Sequence, residues 1–266
     1  MALRILKKSL AGFAITTLLS TLTWAQNMID AAHELAPTGT LRAVINLGNP
    51  ILARKDDATG EPVGVSVDLA KALAAKLKRP LTLIVVDSAA KSVEAVTQGQ
   101  GDLGFFAIDP VRGKGITFTP PYVLIEGSYL VKNDSPLSDN AQVDQAKHQV
   151  VVGQGSAYDL FLTRELKQAQ LVKAPTSPMV VPFFMQGSYD VAAGVKQQLE
   201  ADAKQYEGLR LLPGRFMVIQ QAMGQPNTIS EAGRQTLINF VAEMKANGFI
   251  RESLHRHQIL GATLAP

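Results

Sequence analysis

Runs of apolar residues at strand or helix spacing divide the chain into two similar halves. Leu41 to Leu47 (LRAVINL) reads as a strand, entered through Pro37-Thr38-Gly39 and broken by Gly48-Asn49-Pro50. Asp68 to Lys78 carries Ala and Leu at helical spacing with lysines on the opposite face. An acid at its start and bases at its end complete the pattern of a helix. Leu81 to Val86 (LTLIVV) is a continuous β-branched run, the signature of a buried strand. A short helix over Ser92 to Gln98, stopped by Gly99, precedes a strand over Asp102 to Ile108. This strand–helix–strand–helix–strand order predicts an α/β unit with a parallel sheet.

From Gln149 the theme returns. A strand over Gln149 to Val152 runs into Gly153-Gln154-Gly155-Ser156, then a helix over Asp159 to Gln168 and a short strand over Leu171 to Lys173. A helical segment over Met179 to Met185, a strand over Tyr189 to Ala193 and a helix over Val195 to Lys204 follow. Ser230 to Asn247 is a long amphipathic helix with Ser230 as its cap and Gly248 as its stop, and Phe249 to His257 is a shorter one. Two extended segments, Gly127 to Lys132 and Phe216 to Ala222, can cross between the units. Two α/β lobes joined twice leave a cleft between them, a common place for ligands.

The N-terminus changes how charge is counted. Arg4, Lys7 and Lys8 precede an uncharged apolar stretch, Leu10 to Leu22, and Thr23-Trp24-Ala25 offers small residues before Gln26. This is the pattern of a cleavable signal peptide over residues 1–25, and the run is short of the about 20 residues of a membrane span. The whole chain has 26 Lys+Arg against 23 Asp+Glu, so removal of three basic residues leaves the signs balanced. The basic pI of about 9.0 then belongs to the targeting segment, and nucleic acid is not an expected partner. There is no Cys, which excludes thiol catalysis and Cys-ligated metals. His33, His148, His255 and His257 show no metal-ligand spacing, and Gly153-Gln154-Gly155 lacks the third Gly and the Lys of a phosphate loop. No cofactor is expected.

Six short motifs occur in order: Gly39-Thr40-Leu41-Arg42-Ala43-Val44; Gly60 to Ala70 (GEPVGVSVDLA); Gly101-Asp102-Leu103 with Arg112 six residues before Phe118-Thr119-Pro120-Pro121-Tyr122; Gly155-Ser156-Ala157-Tyr158-Asp159; Gly187-Ser188-Tyr189-Asp190; and Lys245-Ala246-Asn247-Gly248. Together they resemble the extracytoplasmic solute-binding proteins of family 3, the polar amino acid type of ABC transporter substrate-binding protein. The resemblance implies a two-lobed periplasmic-binding-protein fold of type II with a double hinge and a cleft between lobes. Lobe 1 would comprise residues 26–128 and 223–266, and lobe 2 residues 129–222. It also implies a monomeric periplasmic carrier whose partners are a small carboxylate-bearing ligand and an inner-membrane ABC permease.

The resemblance assigns Arg112 to the ligand's carboxylate, and a planar, permanently charged guanidinium suits that task. Gly155 and Ser156 stand where a strand turns into a helix, whose N-terminal amides favour an anion. Ala107 occupies a position where Ser or Thr is frequent in the family, leaving only a backbone donor. Asn46 and Val195 stand where the family places two Asp residues that hold an ammonium group. Phe105 replaces a small polar residue, and Ile51 or Leu52 replaces a stacking aromatic. A cleft of this kind is expected to take an organic acid with no obligatory ammonium, unless Asp109, Glu126 or Asp190 supplies the charge. A few proteins that resemble this family are exported dehydratases of cyclic carboxylates, and a ligand-sensing protein is a third reading. An enzyme needs a general acid in the closed cleft, and no carboxylate or His is placed there by the sequence, so no catalytic residue is named.

Overall fold

A computed structural model describes residues 32–266 of the chain. The signal segment expected over 1–25 lies outside the described residues. The first unit contains β1 (Leu41–Asn46), a hairpin of β2 (Arg54–Lys55) and β3 (Pro62–Val63), helix α1 (Val65–Leu77), β4 (Leu81–Val86), α2 (Ala89–Thr97) and β5 (Leu103–Ala107). β6 (Ile116–Phe118) and the long β7 (Val123–Lys132) lead out of it. The second unit contains β8 (Gln149–Gly153), α3 (Ala157–Glu165), β9 (Gln170–Ala174), α4 (Val180–Gln186), β10 (Val191–Val195), α5 (Lys196–Gln205) and β11 (Leu209–Leu211). The long β12 (Met217–Pro226) returns, followed by α6 (Glu231–Ala246), α7 (Phe249–Arg256) and β13 (Thr263–Leu264).

One 11-stranded sheet runs in the order β4-β1-β5-β12-β7-β10-β8-β9, with β6 on β12 and both β11 and β13 on β7. β1 pairs in parallel with β4 and β5, and β8 in parallel with β9 and β10. Between these halves β12 and β7 pair antiparallel, from Met217 opposite Gly127 to Gln221 opposite Val123. The sheet therefore passes from lobe to lobe through two long strands, a double connection.

Each lobe has its own apolar core. In lobe 1, Leu41, Ala43 and Ile45 of β1 face Leu69 and Leu73 of α1 and Leu237 and Phe240 of α6. On the sheet's other face Val44, Val96, Phe106 and Ile116 form a smaller cluster beneath α2. In lobe 2, Val150–Val152 and Val191–Ala193 pack with Phe184 and Leu199. Val195 and Met217 touch both main cores, which places them at the junction.

Several local expectations are corrected. Leu81–Val86 is the sheet's edge strand and is only partly buried, with Val85 44 % exposed. Helix α1 starts at Val65, three residues before Asp68, because tertiary packing buries the β-branched Val65 and Val67. Its Gly64 cap has φ 128°, and a Cβ there would lie 2.4 Å from the Leu52 carbonyl oxygen. Helix α3 ends at Glu165 instead of Gln168. Beyond it the Asp144 carboxylate accepts the amides of Lys167, Gln168 and Ala169, which stops the helix and pulls the Asp144 pKa down. β2, β3, β6, β11 and β13 have two or three residues each. Such pieces are too short to show a period: β6, β11 and β13 form against the long β12 and β7, and β2 and β3 pair only with each other.

A partly buried ion pair secures lobe 1. The Asp102 carboxylate accepts the Arg42 backbone N–H at 2.8 Å, Nε at 3.2 Å and Nη2 at 2.6 Å. The Arg42 guanidinium is held above its usual pKa chiefly by the hydrogen bond to Asp102. Asp102→Ala is expected to lower stability by about 2 kcal/mol, between an exposed pair and a fully buried one, because the Arg42 side chain keeps 28 % exposure. Urea unfolding measures it, and a loss below about 1 kcal/mol would class the pair with exposed ones.

Candidate functional site

The parallel strands of both lobes end toward the space between them, where α/β sheets place their ligands. β1 ends at Asn46, β5 at Ala107, β8 just before Gly155-Ser156 and β10 at Val195. Lobe 1 lines the cleft with Asn46, Asn49, Ile51, Phe105, Ala107 and Arg112. Lobe 2 contributes Ser156, Ala157, Tyr158, Val195, Gln198 and Asp202, and Ile219 and Gln221 come from β12. Together they bound about 680 Å³ of empty space, open solvent included.

Arg112 sits on a 3-10 turn that follows β5 and is 5 % exposed. Its Nη1 donates to the Ala107 carbonyl at 3.1 Å, and its Nη2 donates across the cleft to the Gly155 carbonyl at 3.0 Å. No carboxylate among the described residues forms an ion pair with it. Burial pulls its pKa down to about 10, with Asp109 opposing, so it stays charged at neutral pH. The guanidinium fork has more donors than these two contacts occupy.

The lobes are closed on each other at two further points. Arg164 Nη2 on α3 meets Asp109 Oδ2 at 2.8 Å. Gly155 lies so near Ala90 of α2 that a Cβ on it would stand 2.8 Å from the Ala90 Cβ.

Helix α3 differs from the expected anion cradle. Ser156 is its N-cap, and its Oγ accepts the Asp159 amide at 3.0 Å. The Gly155 amide, expected to face the ligand, donates instead to Asp159 Oδ2 at 2.8 Å. Asp159 is buried and also meets Lys173 at 3.4 Å. A carboxylate of the protein thus already occupies this amide, and Gly155 presents its carbonyl to Arg112. The Ala157 and Tyr158 amides, in the first turn of α3, lack intrahelical acceptors and belong to residues lining the cleft.

The other expected positions fall around the same space. Ala107 lines it and supplies the carbonyl that orients Arg112. Phe105 is buried edge-on against Tyr122, ring centres 6.5 Å apart. Asn46 spends its Oδ1 on the Gly48 amide at 2.8 Å. Val195 begins α5, which has no side-chain cap. At the turn after β1, Ile51 reaches the cleft, whereas Leu52 is in the core.

None of the three acids considered as charge donors lines the cleft. Asp109 is bonded to Arg164 and to the Val111 amide. Glu126 lies between Arg215 at 2.6 Å and Lys196 at 3.2 Å, and Arg215 is the main reason its pKa is low. Asp190 accepts the Gln149 amide. The acid that does line it is Asp202 on α5, which sequence reasoning missed. Burial raises its pKa, opposed by a 2.8 Å hydrogen bond from Gln198 Nε2 to Oδ1. The signal was helical spacing: Gln198 and Asp202 are four apart on a helix that starts at the cleft and share a face with Leu199. Gln221, also missed, is buried, lines the cleft and makes no side-chain hydrogen bond among the described residues.

Among the described residues no helix is long and apolar enough to cross a membrane. The sequence profile of the bacterial extracellular solute-binding proteins, family 3, matches residues 41–257. No curated protein sequence matches the chain. Among solved structures, the chain resembles a binding component of an ABC transporter from Wolinella succinogenes complexed with lysine, at 21 % identity and TM-score 0.71, covering 82 % of this chain and 95 % of that one. It resembles a solute receptor for L-cysteine of Neisseria gonorrhoeae at 22 % identity and TM-score 0.74, covering 86 % and 94 %. A reconstructed ancestral amino acid-binding protein, a precursor of cyclohexadienyl dehydratase, aligns at 20 % identity and TM-score 0.71, covering 85 % and 97 %. These likenesses establish the two-lobed type II fold.

Proposed function

Because the chain belongs to the bacterial extracellular solute-binding proteins of family 3, we propose that it captures a small carboxylate-bearing solute, an amino acid or related organic acid, by closing its lobes in the periplasm. The closed complex is then handed to an inner-membrane ABC permease, with the protein acting as a monomeric carrier that leaves its ligand chemically unchanged. The observation that carries this reading is Arg112: a buried, charged fork in the cleft wall with carbonyl partners only. A bidentate carboxylate is the natural complement of such a group. The Ala157 and Tyr158 amides at the start of α3 add donors from the opposite lobe.

A thermal-shift screen of ligand-free protein tests the reading, since a ligand that binds only the folded state raises the melting point by mass action. The panel pairs amino acids with the same carboxylates lacking the amine. Stabilisation by carboxylates and not by their amides or esters is the expected result. Equal shifts from a carboxylate and its amide would sink the assignment of Arg112.

Asp202 favours one alternative, an exported lyase acting on a carboxylate substrate. A carboxyl whose pKa is raised by burial is what general acid catalysis requires. A carrier returns its ligand intact when denatured, whereas an enzyme returns product, so chromatography of the released compound decides between them.

A further inference from the structure

Four carboxylates are buried in the described structure: Asp102, Asp109, Asp159 and Asp202. Three of them have a cationic partner, respectively Arg42, Arg164 and Lys173. Asp202, 7 % exposed, has none among the described residues. Its one side-chain hydrogen bond among the described residues is from the neutral Gln198 amide to Oδ1. Arg112 is its mirror image, a buried cation without a carboxylate. Both line the same cleft, one from each lobe. An uncompensated buried charge is costly, and two of opposite sign facing one cleft complement a ligand that carries the opposite pair.

Resting on the reading of Arg112 as a carboxylate anchor, we propose that Asp202 and Gln198 form a second subsite that reads a protonated amine set several carbons away from the ligand's carboxylate. The helix sets the subsite away from the junction of the lobes. Val195, at the junction of the lobes, precedes α5, and Asp202 lies seven residues further along, about 10 Å at the helical rise. An amine on the carbon next to the carboxylate would stay near the junction, where Asn46 and Val195 offer no charge. An amine carried further along the ligand would meet Asp202 instead, and Phe105, Val195 and Leu199 line the same cleft for the methylenes between. The raised pKa of Asp202 fits a carboxylate awaiting a cation.

Isothermal titration with 5-aminopentanoate against pentanoate, and 6-aminohexanoate against hexanoate, tests this on the wild-type protein. At least one amine-bearing member is expected to bind ten-fold or more tightly than its amine-free partner, and more tightly than L-alanine. In Asp202→Asn, which keeps the shape and the Gln198 contact, that ratio should fall to about one while the amine-free acid binds as before. A melting curve of the variant confirms that it folds, and the wild-type comparison decides even if it does not. Equal binding of the paired acids, a preference for L-alanine, or a ratio that survives in Asp202→Asn overturns the subsite and leaves Arg112 standing. Failure of every acid in the series to bind removes both the carboxylate reading and the subsite that rests on it.

Discussion

Arg112→Met is expected to weaken carboxylate binding by about 3 kcal/mol, more than 100-fold, without lowering the melting point of the ligand-free protein. The first half follows from a desolvated charge pair losing one member. The second follows from what surrounds Arg112 now: two carbonyl oxygens and no ion pair among the described residues. Its pKa lies at about 10 against an ordinary 12.5, and burial is the cause. For a base whose pKa is lowered in the structured state, the charged form is disfavoured there. The penalty is complete at pH values below 10 and fades only as pH rises toward 12.5, so it acts in full at neutral pH, on the order of 3 kcal/mol. Part of it would weigh on closure, because the Gly155 carbonyl that Arg112 meets belongs to the other lobe. A ligand carboxylate would offset that cost only in the closed state, and such differential stabilisation is what lets a ligand shift the equilibrium. Titration calorimetry reads the affinity and calorimetric melting reads the stability. Retention of wild-type affinity within about three-fold would remove Arg112 from the site, since losing a bonded charge partner cannot be that mild.

Much of the scaffold was legible because it depends on local pattern. The alternation in β1 and the apolar runs of β5, β8 and β10 gave strands, and Ala and Leu spacing gave α1. Legibility failed where distant residues decide. The end of α3 depends on Asp144, more than twenty positions earlier, gathering three amides. Leu81–Val86 has the composition of an interior strand, and its place at the sheet edge depends on where the chain adds later strands. In the cleft, the glycine-serine turn was found but not its electrostatics, because Asp159 folds back onto the Gly155 amide one turn away. Asp202 was not legible, because whether a side chain two helical turns beyond Val195 reaches the cleft depends on how α5 packs against the rest of the fold.

Gly155→Val is expected to hold the lobes apart. Gly155 has φ +68°, a region that side chains enter at a cost of about 1–2 kcal/mol, and its missing Cβ would lie 2.8 Å from that of Ala90 on the other lobe. The backbone strain exists whether the lobes are open or closed. The clash exists only when they are closed, so the larger side chain destabilises that state selectively. If the closed state becomes 100-fold rarer, apparent affinity falls about 100-fold with every ligand-touching residue intact. Ala90→Phe separates the two effects. Ala90 is an exposed residue in the first turn of α2, so a ring there wedges the same gap from lobe 1 without strain at Gly155. Both variants should show ligand-independent radii of gyration by small-angle scattering, equal to or larger than that of the ligand-free wild type, with circular dichroism unchanged. Ala90→Phe is the sharper test. If it still compacts with ligand and binds at wild-type affinity, contact between α2 and the Gly155 turn is not part of the functional closed state. If it behaves as Gly155→Val does, closure itself supplies most of the affinity, and the Arg112 bond to the Gly155 carbonyl becomes part of the mechanism that couples ligand capture to the shape a permease would recognise.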